Sequence, residues 1–159
     1  MFVGITGHQN LSERCAELVR VEIDRRLEAI DQPFVGLTSL AAGADQIFAA
    51  AVLQAGGQLS VVLPSDRIET SFQDPSDLAR FQELIARADE IIRMPFSEPG
   101  EEAYWTAGQA IAERSDLVVA VWDGRPSGGL GGTADVVKYA RGRGTRVAVI
   151  WPDGCERFG

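Results

Sequence analysis

Apolar and polar positions follow two rhythms along the chain. Short apolar runs, Phe2–Ile5, Phe34–Thr38, Leu59–Leu63, Leu117–Trp122 and Arg146–Trp151, read as strands, and the continuous run Leu117–Trp122 as one buried on both faces. Between them, apolar residues recur at helical spacing. The first such stretch places Leu11, Cys15, Leu18, Val19, Ile23, Leu27 and Ile30 on one stripe, with Glu13, Arg14, Glu17, Arg20, Glu22, Arg25 and Arg26 around the rest. Asn10 or Ser12 is placed to cap it. Further stripes run through Ile47, Phe48, Ala51, Val52 and Ala55 to a Gly56-Gly57 stop, through Leu78, Phe81, Leu84, Ile85 and Ala88, through Tyr104, Ala107, Gly108, Ile111 and Ala112, and over Thr133–Arg141. Glu90–Met94 reads as a short edge strand and Ser65–Gln73 as loop. Strands alternating with helices predict an α/β fold, a doubly wound parallel sheet of about five to six strands with helices on both faces.

The polar chemistry collects in turns between a strand and the next helix: Thr6–Gln9, Ser39–Asp45 and Asp123–Asp135. In an open α/β sheet such turns share the edge where ligands bind. The last is the richest in glycine. Gly128, Gly129, Gly131 and Gly132 leave backbone N–H groups uncovered, and the helix that begins at Thr133 adds its partial positive charge. This predicts a cradle for phosphate or carboxylate, with the Thr133 hydroxyl as a further donor. Thr6, Gly7, His8, Ser39, Gly43, Asp45 and Asp123 complete the expected contact set.

Each of these residues also has a plainer role. His8 is either a ligand contact or a shaper of its turn. Asp45 accepts from a sugar hydroxyl or caps its helix. Asp123 and Asp135 form a carboxylate pair suited to acid–base work at a glycosidic bond, or brace the loop and the helix start. Tyr104 and Trp105 stack on a base or belong to the core. Arg67 and Arg125 meet a phosphate or stay solvated.

Composition narrows the picture. The chain has 159 residues, enough for one domain over 1–152 with a short tail, 153–159. Its formal charge of −8 sets it against nucleic acid, whose grip rests on Lys and Arg. A small anion held by amides suits an acidic surface. No apolar run reaches the ~20 residues of a membrane span. The start lacks a basic region and a cleavage site, so a cytoplasmic location is expected. One histidine without a Cys/Asp cluster predicts no metal, and nothing calls for a cofactor. Cys15 and Cys155 form neither metal spacing nor a redox motif. Cys15 is expected as a small core residue and Cys155 as incidental.

Gly4-Ile5-Thr6-Gly7-His8, Ser39-Leu40-Ala41-Ala42-Gly43-Ala44-Asp45 and Gly131-Gly132-Thr133-Ala134-Asp135 occur in that order. The pattern resembles the SLOG superfamily of Rossmann-like domains, from Phe2 to about Pro152. That group includes the DNA-processing protein DprA and the Lonely-Guy phosphoribohydrolases, also called lysine decarboxylase-like. The resemblance implies binding of a nucleotide or nucleotide-derived ligand, as a sensor for example, and a homodimer. It also implies an alternative: an N-glycosidic hydrolase or transferase acting on nucleoside monophosphates. The Lonely-Guy motif carries a catalytic Glu where this chain has Val136, and Asp135 is the neighbouring acidic position. Single-strand DNA binding, the third implication, is the weaker for the net charge.

Overall fold

A computed structural model of the chain describes residues 1–127 and 129–156. The apolar runs become strands β1 (Phe2–Gly7), β2 (Val35–Thr38), β3 (Gln58–Leu63), β4 (Glu90–Arg93), β5 (Leu117–Val121) and β6 (Arg146–Ile150). The stripes become helices α1 (Glu13–Glu28), α2 (Ala44–Gln54), α3 (Pro75–Ala86), α4 (Glu101–Arg114) and α5 (Thr133–Gly142). Ser12 caps α1 by accepting the Cys15 amide at 3.1 Å, and Asp74 caps α3 by accepting the Ser76 amide at 2.8 Å. The stretch expected as loop contains a 3₁₀ turn, Ile68–Ser71, with Ile68 buried. One turn is too short to leave a period in the sequence.

The strands form one sheet in the order β4-β3-β2-β1-β5-β6, with every pairing parallel. The chain lays strands outward from β1 to β4, then returns to the other side of β1 for β5 and β6. The order therefore reverses between β1 and β5, and the connections leaving those two strands diverge. That divergence opens a crevice at their carboxyl ends.

Alternate residues divide between two helical layers. Val3, Ile5, Leu59, Val61, Val119 and Val121 pack with α1, α2 and α3. Leu37, Val62 and Val118 face α4 and α5. Glycine sets the spacing of the second layer. A Cβ on Gly4 would stand 2.6 Å from Ile111 Cγ2, with Ser115 Oγ nearer still. Helix α4 thus lies directly on the backbone of β1. No helix among the described residues is long and apolar enough to cross a membrane.

The cysteine reading needs correction. Cys15 and Cys155, 140 positions apart, form a disulfide with Cα atoms 5.1 Å apart. Cys15 is buried, as a core residue should be, but Cys155 is not incidental: it ties the segment after β6 to the first turn of α1. Spacing along the chain does not reveal a pair that only folding brings together. Residues 157–159 of the expected tail lie outside the described residues.

Gly4→Ala is expected to destabilise the fold by about 1–3 kcal/mol through overpacking against α4. Gly142→Ala, where a Cβ would meet nothing within 4 Å, is expected to stabilise it by about 0.5–1 kcal/mol. Urea unfolding of both variants checks the pair.

Candidate functional site

The crevice at the strand reversal is a cleft of about 590 Å³. One wall is the β1–α1 turn, with Thr6, Gly7, His8 and Gln9. The β2–α2 turn contributes Ser39, Ala41 and Asp45, and the start of α4 contributes Gly100, Glu101 and Tyr104. The glycine loop closes the far side with Ser127, Gly129, Gly131, Gly132 and Thr133.

Helix capping differs between the cleft and the rest of the molecule. Helices α1 and α3 carry side-chain caps, whereas α2, α4 and α5 begin at Gly43, Gly100 and Gly132 with none. All three uncapped helices start beside the cleft. At α5, Gly132 is extended (φ −70°, ψ 175°). The amides of Gly132, Thr133 and Ala134 donate to no group among the described residues. Two neighbours are already satisfied. Gly131 N–H donates to Asp135 Oδ2 at 3.0 Å, and Asp135 N–H donates to Ser127 Oγ at 3.3 Å. The cradle is therefore narrower than the whole loop and centred on the first turn of α5. Gly131, at φ +81°, sits where a Cβ would meet the Trp105 backbone at 2.9 Å, so the loop is pressed onto α4.

The acidic residues separate by environment. Asp45 is 7% exposed and lines the cleft. Burial pushes its carboxyl up to about 7, against the opposing pull of the Ala41 and Ser39 amides. Those amides fold the β2–α2 turn around it, with Ala41 N–H donating to Asp45 Oδ2 at 3.3 Å. Leu40 occupies the left-handed region at φ 60° within that turn. Its amide donates to Thr38 Oγ1 at 3.0 Å, and its carbonyl accepts from Gln46 Nε2 at 3.3 Å. A non-glycine residue persists there because both backbone groups are held. Glu101, on the opposite wall, packs against Gly129. Tyr104 stands between, and burial holds its phenol above the ordinary range despite Ser71.

Asp123 and Asp135, expected as a catalytic pair, are not among the residues lining the cleft. Asp135 holds the glycine loop through Gly131. Asp123 works through His8: its amide donates to His8 Nε2 at 3.2 Å, and its Oδ1 lies 3.3 Å from the same nitrogen. The amide bond needs a lone pair on Nε2, which places the proton of the neutral ring on Nδ1. Protonating Nε2 would exchange that amide for the carboxylate. Gly43, at φ +80°, also supports from behind, since a Cβ there would strike the backbone of His8 and Gln9. Gly128 lies outside the described residues. Val136 is buried and fills the notch over Gly108, where a Cβ would meet it at 2.8 Å. Glu101 and Ser127 were missed by the sequence reading. A Gly-Glu helix start was the available signal for Glu101.

No protein-family model matches the chain, and no curated protein matches it in sequence. Solved structures do match. DNA processing protein A of Streptococcus pneumoniae superposes with a TM-score of 0.71 at 21% identity, covering 96% of this chain and 50% of that one. DNA processing protein A of Helicobacter pylori, described for its single-stranded DNA binding mode, gives 0.69 at 16% identity over 99% of this chain and 68% of that one. The chain shares the fold of these two proteins. The Chlamydomonas rheinhardtii molybdenum cofactor carrier protein shares the fold with a TM-score of 0.56 at 18% identity, covering 93% of this chain and 74% of that one. This chain spans half the length of the Streptococcus protein.

These structural neighbours correct one expectation. Nucleic acid was set aside on net charge, yet the fold is shared with a protein described for binding single-stranded DNA. Net charge is a sum over the surface, whereas binding reads the local field. Residues 124–150 hold five Lys/Arg against one aspartate, and Arg125, Lys138, Arg141, Arg143 and Arg146 are all exposed. The acidic excess lies elsewhere in the chain.

Asp45 has a testable signature. Its folded pKa of about 7 exceeds the ordinary 3.8, so its contribution favours the folded state below that ordinary value and is lost as pH rises through the folded one. Wild type is expected to lose up to about 4 kcal/mol relative to Asp45→Asn across this window. Urea unfolding of both proteins over a pH series checks the difference.

Proposed function

We propose that the cleft binds a nucleotide or nucleotide-derived ligand, with its phosphate on the amides at the start of α5. One observation carries the reading: the Gly132, Thr133 and Ala134 amides have no acceptor among the described residues, at an uncapped helix start beside the cleft. An anion there completes the hydrogen bonding that a side-chain cap supplies elsewhere. No Lys or Arg is among the cleft-lining residues, and Asp45 and Glu101 are. Affinity then rests on amides and on a small anionic group. Tyr104 offers an aromatic face for a base or sugar at the other end. The bound molecule's role, as signal, cargo or substrate, follows from what it is.

A second reading, single-stranded nucleic acid, has its own support. Exposed Arg125, Lys138, Arg141, Arg143 and Arg146 lie on α5 and on the segments before and after it. Arg141 lies over the Trp122 ring at 6.0 Å, a pairing that suits stacked bases and a phosphate track. The strand would run along these residues with one phosphate in the cradle.

The two readings separate by mutation. Thr133→Pro removes one cradle amide at the helix position that best tolerates proline, after a residue already extended. It is expected to weaken AMP binding by about 10-fold or more in calorimetry, against Thr133→Ala as control. Unchanged affinity would remove the cradle. Lys138→Glu with Arg141→Glu is expected to leave AMP binding intact. In that double variant, oligo-dT binding should weaken and its salt slope should fall by about one per charge removed, as read by fluorescence anisotropy.

A further inference from the structure

The chain beyond β6 turns back over the ligand edge. Trp151 follows directly on β6, and its ring meets His8 edge-on, with centroids 5.4 Å apart and planes at 88°. His8 lines the cleft. Three residues later Gly154 turns at φ +90°, and Cys155 N–H donates to Pro152 O at 3.1 Å. Cys155 then bonds to Cys15 in the first turn of α1. Trp151 and Cys155 both pack, partly buried, against the main core. The disulfide therefore fixes the far end of a short strap whose near end is held by β6 and whose first residue braces the cleft histidine.

We propose that the Cys15–Cys155 disulfide is a redox latch on the cleft. Oxidised, it clamps residues 151–156 to α1 and holds Trp151 against His8. Reduced, it frees the strap and the histidine wall. The two cysteines differ in burial. Cys15 is 1% exposed, whereas Cys155 is only partly buried. An external thiolate can approach Cys155 Sγ and expel Cys15 as a thiolate. That leaving group forms in the apolar core, so it is protonated as it departs to give the Cys15 thiol. A second external thiolate then attacks the mixed disulfide and releases Cys155 as a thiolate. The products are two protein thiols, after protonation, and one external disulfide, with two electrons supplied by the two external thiols. Oxidation is the reverse, with a small-molecule disulfide such as glutathione disulfide as acceptor.

The latch does not require the nucleotide reading, although its consequence for affinity rests on it. His8 is the only histidine in the chain, so its imidazole C–H signals report the latch without ambiguity in a proton NMR spectrum. On full reduction, confirmed by thiol titration, the His8 signals are expected to shift as the Trp151 ring departs. Amide exchange over 151–156 should accelerate while the α1–α5 amides stay protected. Cys155→Ser should show the reduced signals without reductant and no response to it. Trp151→Ala should move the His8 signals with the disulfide intact. AMP affinity should differ by about fivefold between the two redox states. Unmoved His8 signals on reduction would overturn the latch. Global loss of amide protection would also overturn it, making the disulfide a plain staple. Equal AMP affinity in both states, while Thr133→Pro still weakens binding, would overturn the coupling to the cleft. If AMP binds neither state, the nucleotide reading fails and the His8 signals alone decide the latch.

Discussion

The structure depends on how closely other elements approach β1. Gly4 lets α4 rest on the strand backbone. At Gly7 a Cβ would meet Val121 Cβ at 2.9 Å, with Ala44 nearer still. These two glycines bring α4, the start of α2 and the end of β5 to van der Waals contact around one strand. Larger side chains there would push the three turns of the ligand edge apart. Gly108 against Val136 and Gly131 against Trp105 continue the same packing into the second layer. Absent side chains thus fix the cleft as firmly as those that line it.

From this packing follows the electrostatic character of the cleft. Three helices begin beside it without side-chain caps, so positive ends of helix dipoles converge where none of the described lining residues is basic. The carboxylates have been dealt with in different ways. Asp135 and Asp123 are absorbed into the supporting hydrogen bonds of the loop and of His8. Asp45 is buried, and its charge is suppressed below neutral pH. Glu101 remains as the acidic residue on the far wall. The surface charge follows a separate plan, with the basic residues of α5 and its flanking segments set apart from the acidic excess elsewhere. Net charge describes neither the cleft nor these residues.

Covalent closure adds a constraint of another kind. The sheet ends with β6 at an edge, but the chain is anchored again at Cys155. Through Trp151 that anchor reaches the same histidine that Asp123 holds from the other side. The wall formed by His8 is therefore supported both from the central strands and from the strap.

Much of the fold was legible because a buried parallel strand and an amphipathic helix leave different periods in a sequence. The alternation of the two, the edge position of β4 and the three polar turns at one sheet edge all follow from that. So does the candidacy of Thr6, His8, Asp45 and Thr133, since turn chemistry is local. Other features depend on distance in space rather than along the chain. The pairing of Cys15 with Cys155, the seat of Val136 over Gly108 and the contact of Trp151 with His8 join residues remote in sequence. The left-handed Leu40 gave no sign in advance, because leucine does not favour that conformation and tertiary hydrogen bonds hold it there. Which loop amides stay open and which carboxylates face the cleft was also decided only by folding. A hydrogen bond is assigned by geometry, and residue type alone cannot say whether a donor has already found its acceptor.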